Sequence, residues 1–317
     1  MIALLAFENN YLSHSVLDDK YKLLRGTNEC IPLYTPEEFI IPPNELITID
    51  FQLVATILNL NTYNRVQEEM PTELSNASIL AKCPFIISIV ELDEDIISQV
   101  ILWDDLLNSI KVHIYNYSST EITILQHRHL FNIFAKLPLN GRIPPLQFKI
   151  VSRDDCVFAQ GSRFNHLIQD YTHLIYPYKN VFNIYPLYGR IAQLYQPYEF
   201  VSSIILYCPD DIIIEPMCSK VINLEIYVSL QQIDTTILDI LPFSIIGHNS
   251  LHKNKKLVSN PQLYSIVEES PFQLVKVTLE NHTTEVVTIS YGTPIANMVP
   301  ANIEYVSSKI VNDTSFP

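Results

Sequence analysis

The feature that most constrains this chain is that it repeats itself. Lys111-Val-His-Ile-Tyr-Asn-Tyr-Ser-Ser-Thr-Glu-Ile-Thr-Ile124 lines up without a gap on Lys276-Val-Thr-Leu-Glu-Asn-His-Thr-Thr-Glu-Val-Val-Thr-Ile289. An earlier stretch, Ile31-Pro-Leu-Tyr-Thr-Pro-Glu-Glu-Phe-Ile-Ile-Pro-Pro43, shares its skeleton with Ile204-Ile-Leu-Tyr-Cys-Pro-Asp-Asp-Ile-Ile-Ile-Glu-Pro216. The two pairs occur in the same order and at nearly the same separation, which reads as two structural repeats. Within the later copy, Val277 and Leu279 alternate with polar neighbours, as do Val287 and Ile289. That is the period of half-buried strands, and the short polar side chains of Asn281 to Glu285 supply the turn between them. Gly292 and Pro294 then bend the chain into a further strand.

A strand reading extends to the whole chain. Ile, Val, Tyr and Phe abound and 20 prolines punctuate short segments, a combination that favours many short strands over long helices. Hydrophobic residues make up 48% of the 317, ample for a sizeable core. The fold expected is all-β, two tandem β-barrel or jelly-roll repeats with little helix. The boundaries expected are 1–140 for the first repeat, 141–198 for a linker or insert, 199–300 for the second repeat and 301–317 for a flexible tail. The linker rests on the breakers in Lys136-Leu-Pro-Leu-Asn-Gly-Arg-Ile-Pro-Pro145. A short helix is expected at Asp18 to Gly26.

The net charge of −14 argues against a nucleic-acid partner, which needs clustered Lys and Arg. The densest basic run, His252-Lys-Asn-Lys-Lys256, reads as a solvated loop. No apolar run reaches membrane-spanning length, and Met1 to Phe7 reads as a first strand rather than a signal segment. The five cysteines are scattered and never spaced as CxxC, which fits a reduced, intracellular compartment.

Candidate chemistry is thin. Glu37-Glu38 and Asp210-Asp211 fall in the same turn of each repeat, where solvated carboxylates are expected. His127 and His129 would share one face of a strand, as a metal pair needs, with no third ligand in view. Gly247-His-Asn-Ser250 is a single-glycine turn rather than a multi-glycine phosphate cradle. Gly189-Arg-Ile-Ala-Gln-Leu194 reads as a displaced structural strand.

At Ile204–Val228, Ile246–Leu251 and Lys276–Val299 the second repeat resembles the deoxyuridine triphosphatase (dUTPase) family. The double-length chain is similar to the herpesvirus branch of that family. The resemblance implies five motifs, and the departures fall where the chemistry belongs. Ile205 stands where the first motif carries an acid. Gly247, His248, Asn249 and Ser250 occupy the second, substrate-binding motif, with His248 replacing its phosphate-binding Arg. In the third, Glu268 falls on the acid that activates water while Pro271 replaces the Tyr that packs on deoxyribose. In the first repeat Trp103 falls on the acid, Asp104 is one residue away, and Leu106 takes the place of the Tyr. Gly292-Thr-Pro-Ile-Ala-Asn-Met298 keeps the shape of the fourth, and the glycine-rich fifth is missing. Hydrolysis would need a metal, a positioned water and phosphate donors.

The resemblance therefore implies a catalytically degenerate dUTPase-fold protein without a cofactor. It would act in the host cytoplasm or nucleus by binding a host protein, in modulation of innate (interferon) signalling. The alternatives are an active dUTPase using Mg²⁺ with Asp104 or Glu268 as base, and a structural tegument component. Two copies in one chain can pack on each other, so a monomer is expected.

Overall fold

The computed structural model describes residues 2–7, 30–58, 85–90, 94–103, 108–135, 147–150, 180–196, 203–232, 243–264, 273–300 and 306–310. The first half contributes β1 (Ile2–Phe7), β2 (Cys30–Tyr34), β3 (Phe39–Ile41), β4 (Leu46–Asp50), β5 (Leu53–Leu58), β6 (Phe85–Ile89), β7 (Ile96–Ser98), β8 (Ile101–Trp103), β9 (Lys111–Asn116), β10 (Ile122–Ile124), β11 (His129–Ala135) and β12 (Gln147–Ile150). The second contributes β13 (Asn180–Pro186), helix α1 (Gly189–Ala192), β14 (Ile204–Tyr207), β15 (Ile212–Ile214), β16 (Ser219–Gln232), β17 (Phe243–Gly247), helix α2 (Asn249–Lys255), β18 (Leu257–Val258), β19 (Gln262–Tyr264), β20 (Gln273–Asn281), β21 (Val287–Ile289), β22 (Pro294–Pro300) and β23 (Val306–Ile310). The protein is all-β with two short described helices. Its described strands form several open sheets rather than a closed barrel.

The halves pair their strands in one order. A sheet β2-β11-β6-β8 in the first matches β14-β22-β17-β19 in the second, and the ribbon β3-β10 matches β15-β21. The strands β4, β9 and β7, with β5, β1 and β12, match the five-stranded sheet β18-β20-β16-β13-β23. What is one long strand in the second half, β16, is two in the first, β4 and β5. The interruption falls at the same point in both. Gln52 has φ 49° and its N–H donates to Asp50 Oδ1 at 2.8 Å, while Glu225 has φ 57° and its N–H donates to Asn223 Oδ1 at 3.1 Å.

Left-handed backbone elsewhere pairs up too. Asn44 (φ 57°) matches Met217 (φ 54°), and His127 (φ 62°) matches Gly292 (φ 76°). Such φ values cost a side-chain-bearing residue about 1 kcal/mol, so their recurrence at matched positions marks geometry the fold requires. The His127 and Gly292 N–H groups donate to the carbonyls of the matched residues Thr35 and Cys208, each at 2.9 Å.

Each half packs its own core. Leu33, Ile49, Phe51, Phe85, Ile114 and Phe131 are among the buried residues of the first, with Phe51 and Phe131 edge to face. Phe182, Leu206, Leu224, Phe243, Val277 and Met298 are among those of the second, with Phe182 and Phe243 edge to face. The alternation read at Val277, Leu279, Val287 and Ile289 is the buried face of β20 and β21.

Three stretches outside the two expected repeats pair into the sheets. Residues 147–150, assigned to a linker, form β12 beside β1 in parallel register. Residues 180–186, assigned to the same insert, form β13, antiparallel to β16. Residues 306–310, assigned to a tail, form β23, parallel to β13. Backbone pairing with segments distant in sequence is what holds these stretches. Gly189-Arg-Ile-Ala-Gln-Leu194 opens with the helical turn α1 rather than a strand, because the Tyr188 carbonyl takes the N–H groups of Ile191 and Ala192 while Ile191 enters the second core. The stretches Asp18–Gly26 and Lys136–Pro145 lie outside the described residues.

Candidate functional site

The second-motif residues lie where the two halves touch. Gly247 ends β17, paired with Ala296 of β22, and there the backbone has no room for a side chain. A Cβ at Gly247 would lie 2.8 Å from Ser259 Cβ and 2.9 Å from both Cδ and Nε2 of Gln99. Gln99 belongs to the other half, between β7 and β8, and is only 2% exposed. Its carboxamide therefore fills the space that the glycine opens. Its Nε2 has no hydrogen-bond partner among the described residues.

His248 caps α2. Its backbone is extended, its Nδ1 lies 2.6 Å from Ser250 Oγ and accepts from the Ser250 N–H at 3.4 Å. The His248 N–H is itself engaged, donating to the Ile295 carbonyl at 2.9 Å. These bonds satisfy groups that a helix start otherwise leaves open. Asn249 opens the helix, and its Oδ1 is buried with no partner among the described residues.

The basic run that follows is not a solvated loop. Residues 249–255 are helical; Lys253 and Lys255 face outward while Leu251 and His252 face inward and are buried. Lys256 closes the helix in left-handed conformation (φ 55°), its N–H donating to the His252 carbonyl at 2.9 Å. Lys256 then reaches the first half: Nζ donates to the Asn44 carbonyl at 2.9 Å and lies 4.7 Å from the centre of the Tyr115 ring.

Asp104, Leu106, Glu268 and Pro271 lie outside the described residues. Trp103 is buried and tilted against Phe85 at 5.5 Å, a core position rather than an acid's. Ile205 pairs with Asn297 in the β14–β22 ladder, so a hydrocarbon side chain holds the first-motif position. On this described side the donor set does not fit a magnesium ion, which takes hard oxygen ligands. Among the described residues no group of three or more His, Cys, Asp or Glu side chains is arranged to hold a metal. His127 and His129 do not share a strand face. His127 sits in the left-handed turn before β11, and His129 faces Asn132 Oδ1 at 2.9 Å and the Tyr34 ring. Glu37-Glu38 and Asp210-Asp211 lie in matching turns between β2 and β3 and between β14 and β15. There Asp211 Oδ1 accepts from the Tyr291 N–H at 2.7 Å, and Asp210 lies 3.5 Å from Arg190.

Gln99, His113, His252 and Ser259, none of them expected as site residues from sequence, are all buried. One sign was available: the gapless alignment sets His113 against Thr278, an imidazole in a strand otherwise flanked by Val112 and Ile114.

Comparison with known proteins gives little more. No family model matches the chain, and no curated protein matches it. Among solved structures it is similar to a mutant form of the dUTPase of Staphylococcus bacteriophage 80alpha, with 10% identity and a TM-score of 0.30. That match covers 43% of this chain and 97% of that one. No helix among the described residues is long and apolar enough to cross a membrane.

Proposed function

We propose that this chain is a dUTPase-like scaffold that has lost catalysis and acts as a monomer by binding a host protein, in modulation of innate (interferon) signalling inside the cell. One observation carries the first part. The only glycine of the second motif, Gly247, faces the chain's own Gln99 instead of open space. A glycine that admits phosphate does so because nothing stands over its backbone. Here a carboxamide from the other half stands over it, the adjoining His248 N–H is bonded to a strand, and the His248 ring caps a helix. Ile205 stands where the first motif carries an acid, which removes the metal-side ligand. Loss of one such transition-state contact costs about 10²–10³ in rate. The interaction role follows from the resemblance to the herpesvirus branch and from a fold retained without its chemistry.

Turnover of dUTP with Mg²⁺, followed as pyrophosphate release, tests the reading. No hydrolysis above a buffer blank is expected. Hydrolysis abolished by Asp104→Ala or Glu268→Ala makes the protein an enzyme and overturns it. An interferon-driven reporter in cells expressing the chain tests the second part, with the Asp104→Ala/Glu268→Ala double variant suppressing it as well as the unaltered protein does. No suppression by either would remove the signalling role.

A further inference from the structure

The ring of one buried histidine bonds the backbone of another across the junction of the halves. His252, on the inward face of α2, is 0% exposed, and its Nε2 donates to the backbone carbonyl of His113 on β9 at 3.2 Å. That carbonyl also accepts from Ser98 Oγ of β7 at 2.7 Å. The His113 ring is buried too, its Nδ1 2.8 Å from Thr48 Oγ1 of β4. His252 Nδ1 has no hydrogen-bond partner among the described residues. So α2 of one half is pinned to the β4-β9-β7 sheet of the other through neutral imidazole.

The geometry points to a pH-sensitive clasp: the halves stay docked while His252 and His113 are uncharged, and mild acid frees α2 from the β4-β9-β7 sheet.

Among the described residues no carboxylate bonds either ring, and only the backbone at His113 and Leu257 favours a proton on His252. The charges acting on His113 are cationic: Lys253 on α2 and Lys111 at the start of β9. The carboxylates nearby are otherwise engaged or aimed elsewhere. Glu280 Oε2 lies 3.1 Å from His282 Nε2, and Glu45 and Glu285 act on Tyr115. Burial is the largest influence on both rings. It pushes His252 down to about 4, against the opposing pull of the backbone at His113 and Leu257, and it pushes His113 down as well.

The sign follows from linkage. An exposed imidazole protonates near pH 6.5 and a buried one resists, so the undocked state takes up more protons as pH falls below that point. The contribution of the neutral rings to docking is therefore fully present above about pH 6.5 and is lost progressively between there and about pH 4. With His252 alone, the undocked population rises about 8-fold between pH 7 and pH 5.5, and more if His113 titrates with it.

Amide hydrogen exchange of the intact chain at pH 7 and pH 5.5, corrected for the intrinsic exchange rate, tests this. The Leu251 and Lys256 amides, bonded inside α2, should open at least 8-fold more at pH 5.5. The Asn281 amide, bonded to Cys218 within the second half, should not change. His252→Gln keeps an N–H donor for the His113 carbonyl but cannot titrate, and should flatten the pH dependence of the α2 amides. If that variant does not fold, histidine NMR of the unaltered protein decides: the His252 ring should stay neutral at pH 5.5 in the docked form and protonate only with α2 opening. Uniform exchange across both halves, an unchanged pH response in His252→Gln, or a His252 ring that protonates near pH 6.5 while docked would each overturn the proposal.

Discussion

Asn116 and Asn281 make the same three hydrogen bonds in the two halves of the chain. The Asn116 carboxamide donates to the carbonyls of Ile41, Pro42 and Thr120, at 3.0, 3.2 and 2.8 Å. The Asn281 carboxamide donates to those of Ile214, Glu215 and Glu285, at 3.2, 3.1 and 2.8 Å. Each Oδ1 meanwhile accepts the N–H two residues on, from Ser118 and from Thr283, at 2.9 Å. One buried side chain thus ties a hairpin turn to the end of a neighbouring ribbon, in both copies.

Asn116→Ala and Asn281→Ala should each cost about 2–4 kcal/mol, because several buried carbonyls lose their donor at once. The two variants should act on different halves. The single tryptophan, Trp103, lies in the first core, so its fluorescence in urea follows that half alone. Asn116→Ala should shift the Trp103 midpoint, whereas Asn281→Ala should shift the circular dichroism midpoint more than the fluorescence one. Equal shifts of both signals by both variants would mean the halves unfold as one.

Met217→Gly should stabilise the protein by up to about 1 kcal/mol. Met217 holds φ 54° while its side chain is 62% exposed, so glycine relieves backbone strain without emptying a core. Gly292→Ala should do the reverse, costing about 1 kcal/mol. Its new Cβ would meet Leu194 at an ordinary 3.5 Å, leaving the φ of 76° as the penalty. Thermal melts of the two variants check the opposite signs.

Gly247→Ala should destabilise by about 1–3 kcal/mol, the usual cost of overpacking a tight contact. Gln99→Ala in the same chain should recover part of it, since it removes one of the two close neighbours and leaves the Ser259 Cβ. A double-mutant cycle reads the coupling across the junction. Additive losses would show that the two halves do not meet at this point in solution.

Lys256→Gly should be close to neutral, within about 0.5 kcal/mol. Glycine is better suited to the left-handed cap of α2, and it forfeits the contacts of Lys256 with Asn44 and Tyr115. Denaturant midpoints check it. A large loss would mean that this lysine carries much of the docking of the halves.

Much of the fold could be read directly. The Leu-Tyr-x-Pro-acid-acid skeleton marks β2 and β14 and the turns after them, since proline and paired carboxylates have few places in a sheet other than its turns. The gapless second pair marks β9 and β20 with their hairpins. Met1 to Phe7 read as a strand, as β1 is, but β12, β13 and β23 escaped notice because the pairs β1–β12 and β13–β23 are parallel and no local turn connects them. His252 escaped because a histidine among lysines reads as solvent-facing, and only packing against the other half turns it inward. Gln99 escaped because nothing in its own segment hints that a glycine distant in sequence needs covering. Local chemistry announces strands and turns; contacts between the halves leave no such mark.

The neighbouring of β1 with β12, and of β13 with β23, bears on how such a chain could arise. Each half starts and finishes on adjacent rails of one sheet, so a duplicate could be appended in line without unthreading anything, needing only a tether. Because these pairs run parallel, the end of β12 lies at the far side of the sheet from the start of β1, and the end of β23 from the start of β13, so joining the ends of either half takes a crossover of about a dozen or more residues rather than a tight turn.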